Sequence, residues 1–194
     1  MRVIGLTGGV GSGKSLAAEI LRRITGGELL IADNLGHLTM RKDTEGYGRI
    51  VDAFGECILS DDGEIDRRKL GEQVFGREDL LEKLNGIVHP QVVSYIEKFI
   101  VERKALGGTI ILESAILFET GCEKFCDEVW YVWVPEQVRI RRLQESRGYS
   151  REKCEAIMAQ QMPEEEYRDR CSHMIRNDGS VEELEEALRA RYFN

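Results

Sequence analysis

The spacing of one short segment, Gly8-Gly9-Val10-Gly11-Ser12-Gly13-Lys14-Ser15, already defines a chemistry. It fits the pattern G-x-x-x-x-G-K-[ST] of a phosphate-binding P-loop, set between the apolar run Val3–Leu6 and a helix-like stretch from Leu16 to Ile24. Gly8, Gly11 and Gly13 permit backbone angles that a Cβ resists, so successive N–H groups can turn inward as an anion nest. The helix beginning near Lys14 adds its positive dipole end and its unpaired first-turn N–H groups. Lys14 supplies an ammonium for the β- and γ-phosphates of a nucleoside triphosphate. Ser15 supplies a hydroxyl for Mg2+, an ion that keeps most of its waters and takes few protein ligands. The plain alternative is a glycine-rich turn beside a surface lysine, and the strand and helix on either side argue against it.

Further along, other residues could complete such chemistry. Asp33 follows the second apolar run, where a carboxylate could take the proton of an attacking hydroxyl or hold Mg2+ through water. It could equally cap the helix that starts at Asn34. Glu113 ends the run Ile110-Ile111-Leu112, the position of an acid that holds metal-bound water. Glu119, after Leu117-Phe118, could orient an acceptor or anchor a loop. Arg139, Arg141, Arg142 and Arg147 share one basic helix, readable as a lid that neutralises a transferring phosphoryl group or as a solvated face paired with Glu136 and Glu145. Arg67 and Arg68 could bind an anionic acceptor, and His89, fixed before Pro90, could be an acceptor contact or a loop anchor.

These residues need a scaffold that gathers them. Strand-like runs recur at Val3–Leu6, Leu29–Ala32, Thr109–Leu112, Val129–Val134 and Met174–Ile175, separated by helical segments. Short apolar strands alternating with helices predict an α/β fold with a parallel five-stranded sheet. Ligands in such sheets bind at the carboxyl ends of strands, which is where Gly8–Ser15, Asp33, Glu113 and Asn177 fall. Residues 33–108 form an interval far longer than an ordinary crossover. Helical spacing marks Gly46–Phe54, Asp66–Phe75, Glu78–Val88 and Gln91–Lys104 within it, with Pro90 starting the last helix. The expected organisation is one domain: a core of residues 1–34, 106–136 and 172–194, a helical acceptor-binding insertion at 35–105, and a helical lid at 137–171.

Bulk properties narrow the class. The net charge of −8 argues against a broad nucleic-acid surface. No apolar run approaches the ~20 residues that cross a bilayer, so no membrane partner is expected. The chain opens on a strand-like run rather than a leader-like one, and five cysteines occur without a C-x-x-C pair. The expectation is a reduced cytoplasmic protein, a monomer or a weak homo-oligomer.

Taken in order, the motifs resemble the dephospho-coenzyme A kinase family over nearly the whole chain. The resemblance is carried by Gly5 to Ser15, Ala32-Asp33, Phe54-Gly55, Gly63-Glu64-Ile65-Asp66-Arg67-Arg68-Lys69-Leu70 and Leu84-Asn85-Gly86-Ile87-Val88-His89-Pro90. It continues through Leu117-Phe118-Glu119, Arg142-Leu143, Gln161 and Asn177-Asp178-Gly179. The resemblance implies transfer of the ATP γ-phosphate to the ribose 3′-hydroxyl of dephospho-coenzyme A, with Mg2+ and with Asp33 as base. It implies Gly11 to Leu16 at the ATP phosphates, together with Gly8, Gly9, Gly13, Lys14 and Ser15. It places Arg142 and Arg147 in the lid, Asn177 near the adenine, and Arg67, Arg68 and His89 near the acceptor. Departures from the family pattern stand at Ile31, His37, Ala115-Ile116 and Leu16, and one residue is added between Arg142 and Arg147. Another P-loop small-molecule kinase is the nearest alternative, and a nucleotide-gated regulatory module the more distant one. A guanine-binding Asn-Lys-x-Asp motif is absent from the sequence.

Overall fold

The structure, a computed structural model, describes residues 1–194. It divides into two compact units, the first of residues 1–31 and 102–194, the second of residues 32–101.

The first unit is built on a five-stranded sheet. Its strands are β1 (Arg2–Thr7), β2 (Glu28–Ile31), β3 (Thr109–Glu113), β4 (Glu128–Trp133) and β5 (His173–Arg176). They lie in the order β2-β3-β1-β4-β5, and every pairing is parallel. β1 and β3 are buried along almost their whole length, as strands covered on both faces must be. Because β1 is central, the loop that leaves it emerges where connections diverge to either side, the usual ligand crevice of such sheets.

Helix α1 (Lys14–Thr25) follows that loop. It buries Ala17, Ala18, Ile20 and Leu21, one helical stripe, against Ile4, Leu6, Ile111, Trp130 and Val132. Gly26 ends it in the left-handed conformation with its N–H on the Arg22 carbonyl. Three helices, α6 (Glu136–Arg147), α7 (Arg151–Ala159) and α8 (Glu164–Arg170), occupy the region expected to form a lid, and all belong to this unit. Helix α9 (Val181–Phe193) closes the core with Leu184 and Leu188 and opens on a capping box between Ser180 and Glu183.

The second unit is helical: α2 (Ala32–Leu38), α3 (Glu45–Phe54), α4 (Arg67–Val74) and most of α5 (Glu78–Arg103). Two expectations fail here. Ala32 does not extend β2 but begins α2, because the ladder between β2 and β3 ends at the pair Ile31–Glu113 and leaves Ala32 no strand partner. Asp33 is therefore inside the first turn and not at the N-cap. Pro90 does not start a helix either; it lies within one continuous helix of 26 residues. Proline deprives the Gly86 carbonyl of a donor, at a cost of ~3 kcal/mol in a helix interior. The seam Leu84, Val88, Val92, Ile96 and Ile100 stays buried on both sides of it, each such side chain worth roughly 1.5–3 kcal/mol, and this outweighs the break. The Gln91 side-chain amide also donates to the Ile87 carbonyl, at 3.4 Å.

All five cysteines are free thiols. Burial pushes Cys126 and Cys171 up to about 12 and also raises Cys122, whereas Cys57 is exposed.

The capping box yields a direct test of the fold. Ser180→Ala removes the hydroxyl that accepts the Glu183 N–H, which costs ~1 kcal/mol. A thermal melt followed by circular dichroism should show a midpoint lower by roughly 2–4 °C.

Candidate active site

The loop from Gly8 to Gly13 has the backbone that its composition demands. Gly8, Gly11 and Gly13 all lie at positive φ, at 150°, 78° and 84°. Gly13 is the N-cap of α1 and offers no side chain to its first turn. The first helical bond there runs from the Ala17 N–H to the Gly13 carbonyl, at 3.1 Å, so the N–H groups of Ser15 and Leu16 precede it. That is the polarity that favours an anion.

A loop that turns N–H groups inward must turn carbonyls outward, and those of Gly8, Gly9, Val10 and Ser12 are met by side chains. The buried Lys14 ammonium donates to the Gly8 carbonyl at 2.8 Å and to the Gly9 carbonyl at 3.3 Å. Arg139 Nε donates to the Val10 carbonyl at 2.9 Å. Gln161 Oε1 accepts both the Val10 N–H, at 2.9 Å, and Arg139 Nη2, at 3.0 Å. The Asn177 side-chain amide donates to the Ser12 carbonyl at 2.7 Å, and Arg142 Nη2 donates to the Asn177 carbonyl at 2.8 Å. Below the loop, Ile140, Leu143 and Cys154 form a small apolar cluster with Val10, Tyr149 and Met158. The loop is thus fixed by α6, by the turn after α7 and by the end of β5.

The structure places Lys14, Arg142, Asn177 and the loop glycines together in one assembly. Arg142 was expected over the phosphates and lies beside Gly13, where a Cβ would stand 3.7 Å from Nη1. Asn177 was expected near a nucleotide base; it is buried and props the loop. Arg147 is exposed in the last turn of α6, its guanidinium 5.9 Å from the Tyr149 ring centre. Glu113 is buried at the end of β3, in register with Leu6 on one side and Ile31 on the other. Ser15 is exposed in the first turn of α1. A hydroxyl and a carboxylate are hard oxygen donors and suit Mg2+, which needs few of them from protein when phosphates supply others. Glu119 is exposed in the first unit, lining a shallow cleft with Gln161 and Met162.

The remaining candidates belong to the second unit. Asp33 is exposed in the first turn of α2 and its carboxylate makes no hydrogen bond. Arg67 and Arg68 open α4, whose N-cap Asp66 accepts the N–H groups of Arg68 and Lys69 at 2.8 and 3.2 Å. Those backbone donors, Lys69 first, hold the Asp66 carboxyl below its usual range. Arg68 is drawn into an exposed pair with Glu72 at 2.9 Å, whereas Arg67 points into solvent. His89 is half-buried in α5, and burial lowers its pKa, which favours the neutral imidazole.

Two residues that secure the loop, Arg139 and Gln161, were not separated from their neighbours by sequence reasoning. The structure shows the constraint at Gly9. Gly9 is a loop glycine without positive φ, so its missing Cβ serves space and not backbone angle: a Cβ there would collide with the Arg139 guanidinium.

Comparison with known proteins gives a consistent picture. The family model described as Dephospho-CoA kinase matches residues 2–183. A dephospho-CoA kinase of Carboxydothermus hydrogenoformans is 39% identical over 187 residues, 96% of this chain and 90% of that protein. A solved structure from Thermus thermophilus is 34% identical, covers 99% of this chain and 96% of that one, and superimposes with a TM-score of 0.79. A solved dephospho-CoA kinase of Campylobacter jejuni shares the fold at 22% identity, with a TM-score of 0.74 over 100% of this chain and 96% of that one.

The loop brace has a measurable consequence. Gln161→Ala strands the Val10 N–H and leaves Arg139 with one bond fewer, and a buried donor without a partner costs ~1–3 kcal/mol. The dissociation constant for nucleoside triphosphate, measured by calorimetry, should rise about tenfold. Gln161→Glu keeps an acceptor oxygen and should lose less.

Proposed function

The chain belongs to the dephospho-CoA kinase family, and from that membership we propose how its two units divide the reaction. The activity is ATP-dependent transfer of the γ-phosphoryl group to the ribose 3′-hydroxyl of dephospho-CoA, which gives CoA and ADP.

The first unit holds the donor. The loop N–H groups and the first turn of α1 bind the phosphate oxygens, and Lys14 offsets charge on the β- and γ-phosphates. Ser15 and Glu113 would hold Mg2+, which when bound neutralises charge across those phosphates. Arg142 and Arg147 act from α6 on the charge of the transferring group, and Asn177 bounds the adenine side while supporting Ser12. The second unit supplies the base and the acceptor contacts. Asp33 accepts the proton of the 3′-hydroxyl as that oxygen bonds to the γ-phosphorus. The bond from the γ-phosphorus to the β–γ bridging oxygen then breaks, and ADP leaves. Arg67, Arg68 and the neutral His89 hold the acceptor, and Glu119 contributes beside the Gln161 turn.

We place the chain in the cytoplasm as a monomer or weak homo-oligomer; no helix is long and apolar enough to cross a membrane. The observation that carries the reading is the braced loop with Lys14 folded over it, a phosphate site held on every outward carbonyl from Gly8 to Val10 and at Ser12.

The test begins with ADP release from ATP and Mg2+, with and without dephospho-CoA, and the mass of the product. One added phosphate, formed only with the acceptor, is expected. Asp33→Asn should then lower kcat by ~10²–10⁴ with ATP affinity unchanged within about twofold. Parallel loss of turnover and ATP binding would give Asp33 a structural part in α2 and remove it from the chemistry.

A further inference from the structure

The division of labour above gives Arg139 no part beyond bracing the loop, yet its guanidinium is placed for more. Two cations meet at Gly9. The Lys14 ammonium donates to the Gly9 carbonyl at 3.3 Å, and the Arg139 guanidinium occupies the space of the missing side chain. A Cβ on Gly9 would stand 2.2 Å from Arg139 Nη2, 2.5 Å from Cζ and 2.8 Å from Nη1. The residue is held from both ends. Its backbone packs on the loop at Gly11, where a Cβ would stand 3.0 Å from the Arg139 carbonyl oxygen, and its Nε and Nη2 donate to Val10 and Gln161. A guanidinium fixed in this way needs little reorganisation to meet a ligand. Its charge, however, has no acidic partner. Arg139 forms no salt bridge, and its Nη1 makes no hydrogen bond. Glu164, which feels the Arg139 charge, is itself bound by Arg168 at 2.7 Å. A half-buried cation without a carboxylate, set beside a nest of N–H groups, suits an anionic ligand.

We propose that Arg139 Nη1 binds the γ-phosphate of ATP and takes up the charge that spreads over that group during transfer, an inference that rests on the kinase activity above. Position decides which phosphate it meets. A P-loop lysine serves the β- and γ-phosphates, and the Lys14 ammonium stands at the Gly8 and Gly9 carbonyls, so this end of the loop is the γ end. The helix end, from Gly13 to Leu16, faces the earlier phosphates. The other α6 arginines stand elsewhere. Arg142 lies at the Gly13 end with Nη2 on the Asn177 carbonyl, and Arg141 and Arg147 are exposed. From Arg139 to Arg147 the helix advances ~12 Å. Arg139 therefore joins Arg142 and Arg147 in handling the transferring group, and acts at its γ end. The chemistry suits arginine. A planar guanidinium offers parallel N–H donors that fit phosphoryl oxygens, and Nη1 keeps both of its hydrogens for them. As the γ-phosphorus passes from the β–γ bridging oxygen to the 3′-oxygen, charge spreads over its equatorial oxygens. Arg139 stabilises that charge by hydrogen bonding; it keeps its own proton and forms no covalent bond. Gly9 belongs to the same arrangement, because any side chain there would displace the guanidinium from the loop.

Bracing the loop and binding the γ-phosphate can be separated by measurement. Calorimetry gives dissociation constants for ATP and for ADP, each with Mg2+, on the unaltered chain, on Gln161→Ala and on Arg139→Met. Gln161→Ala removes part of the brace and keeps the cation, so both constants should rise by the same factor within about twofold. Arg139→Met removes both, so the constant for ATP should rise about tenfold more than that for ADP, and kcat should fall by ~10²–10³. If Arg139→Met melts lower than the unaltered protein, the same ratio on Arg139→Lys decides, with a selective rise of about threefold or more expected because a point charge replaces the fork. Equal shifts for ATP and ADP in the deciding variant overturn the assignment and leave Arg139 as a brace. An ATP-selective loss in Gln161→Ala as large as in the arginine variant overturns it too, since the brace alone would then account for the effect. A lack of turnover in the unaltered chain would instead count against the kinase activity, and the ratio of ATP to ADP affinity would still decide Arg139.

Discussion

A phosphate site made of backbone imposes a debt in carbonyls. Every N–H that turns toward an anion turns a C=O away from it, and a buried C=O without a donor is costly. In this chain the debt is met one carbonyl at a time: Gly8 and Gly9 by Lys14, Val10 by Arg139, Ser12 by Asn177. Each donor comes from a different part of the fold, which explains why α6 packs under the loop and why β5 ends where it does. The Asn177 N–H bonds to the Trp133 carbonyl at 2.9 Å, so the prop under Ser12 is fixed to the sheet ladder itself. The loop carbonyls are satisfied only when these three segments, α1, α6 and the end of β5, are all in place.

The same accounting sorts the arginines. Arg68, Arg151, Arg168, Arg170 and Arg189 each pair with a glutamate four positions away on their own helix. Such exposed pairs contribute only ~0.3–0.5 kcal/mol and leave the guanidinium solvated. Arg139 and Arg142 have no helical partner of this kind and bond to the loop and its prop instead. An acidic protein thus places two arginines at the loop, which makes a net charge of −8 compatible with binding polyphosphate there.

Much of this was legible in the sequence, for local reasons. The P-loop spacing fixes backbone angles within eight residues, and the apolar runs of β1 and β3 announce buried parallel strands. What escaped was either long-range or cooperative. Arg139 and Gln161 meet Val10 across 129 and 151 positions of chain, and no periodicity records that. Pro90 misled because its local preference is to start a helix, whereas the packed seam from Leu84 to Ile100 decides in favour of continuing one. At Ala32 the strand propensity of the preceding residues ran on past the point where β3 stops offering a partner. Asp33, Arg67 and His89 could be nominated from their types and positions, but a carboxylate without a hydrogen bond carries no geometric signature that assigns its role.

The burial of the thiols bears on life among coenzyme A and its disulfides. A kinase whose acceptor and product both end in a sulfhydryl works in a pool of mixed disulfides, and exchange proceeds through the attacking thiolate. Burial holds the Cys126 and Cys171 thiols well above the usual range and so disfavours the thiolate that exchange requires. Cys122 is shielded in the same way, and Cys154 is sealed within the cluster beneath the loop. Two of the five, Cys122 and Cys154, are buried and two, Cys126 and Cys171, are partly covered; all four reside in the first unit. Cys57, in the other unit, is the one thiol fully exposed to that pool.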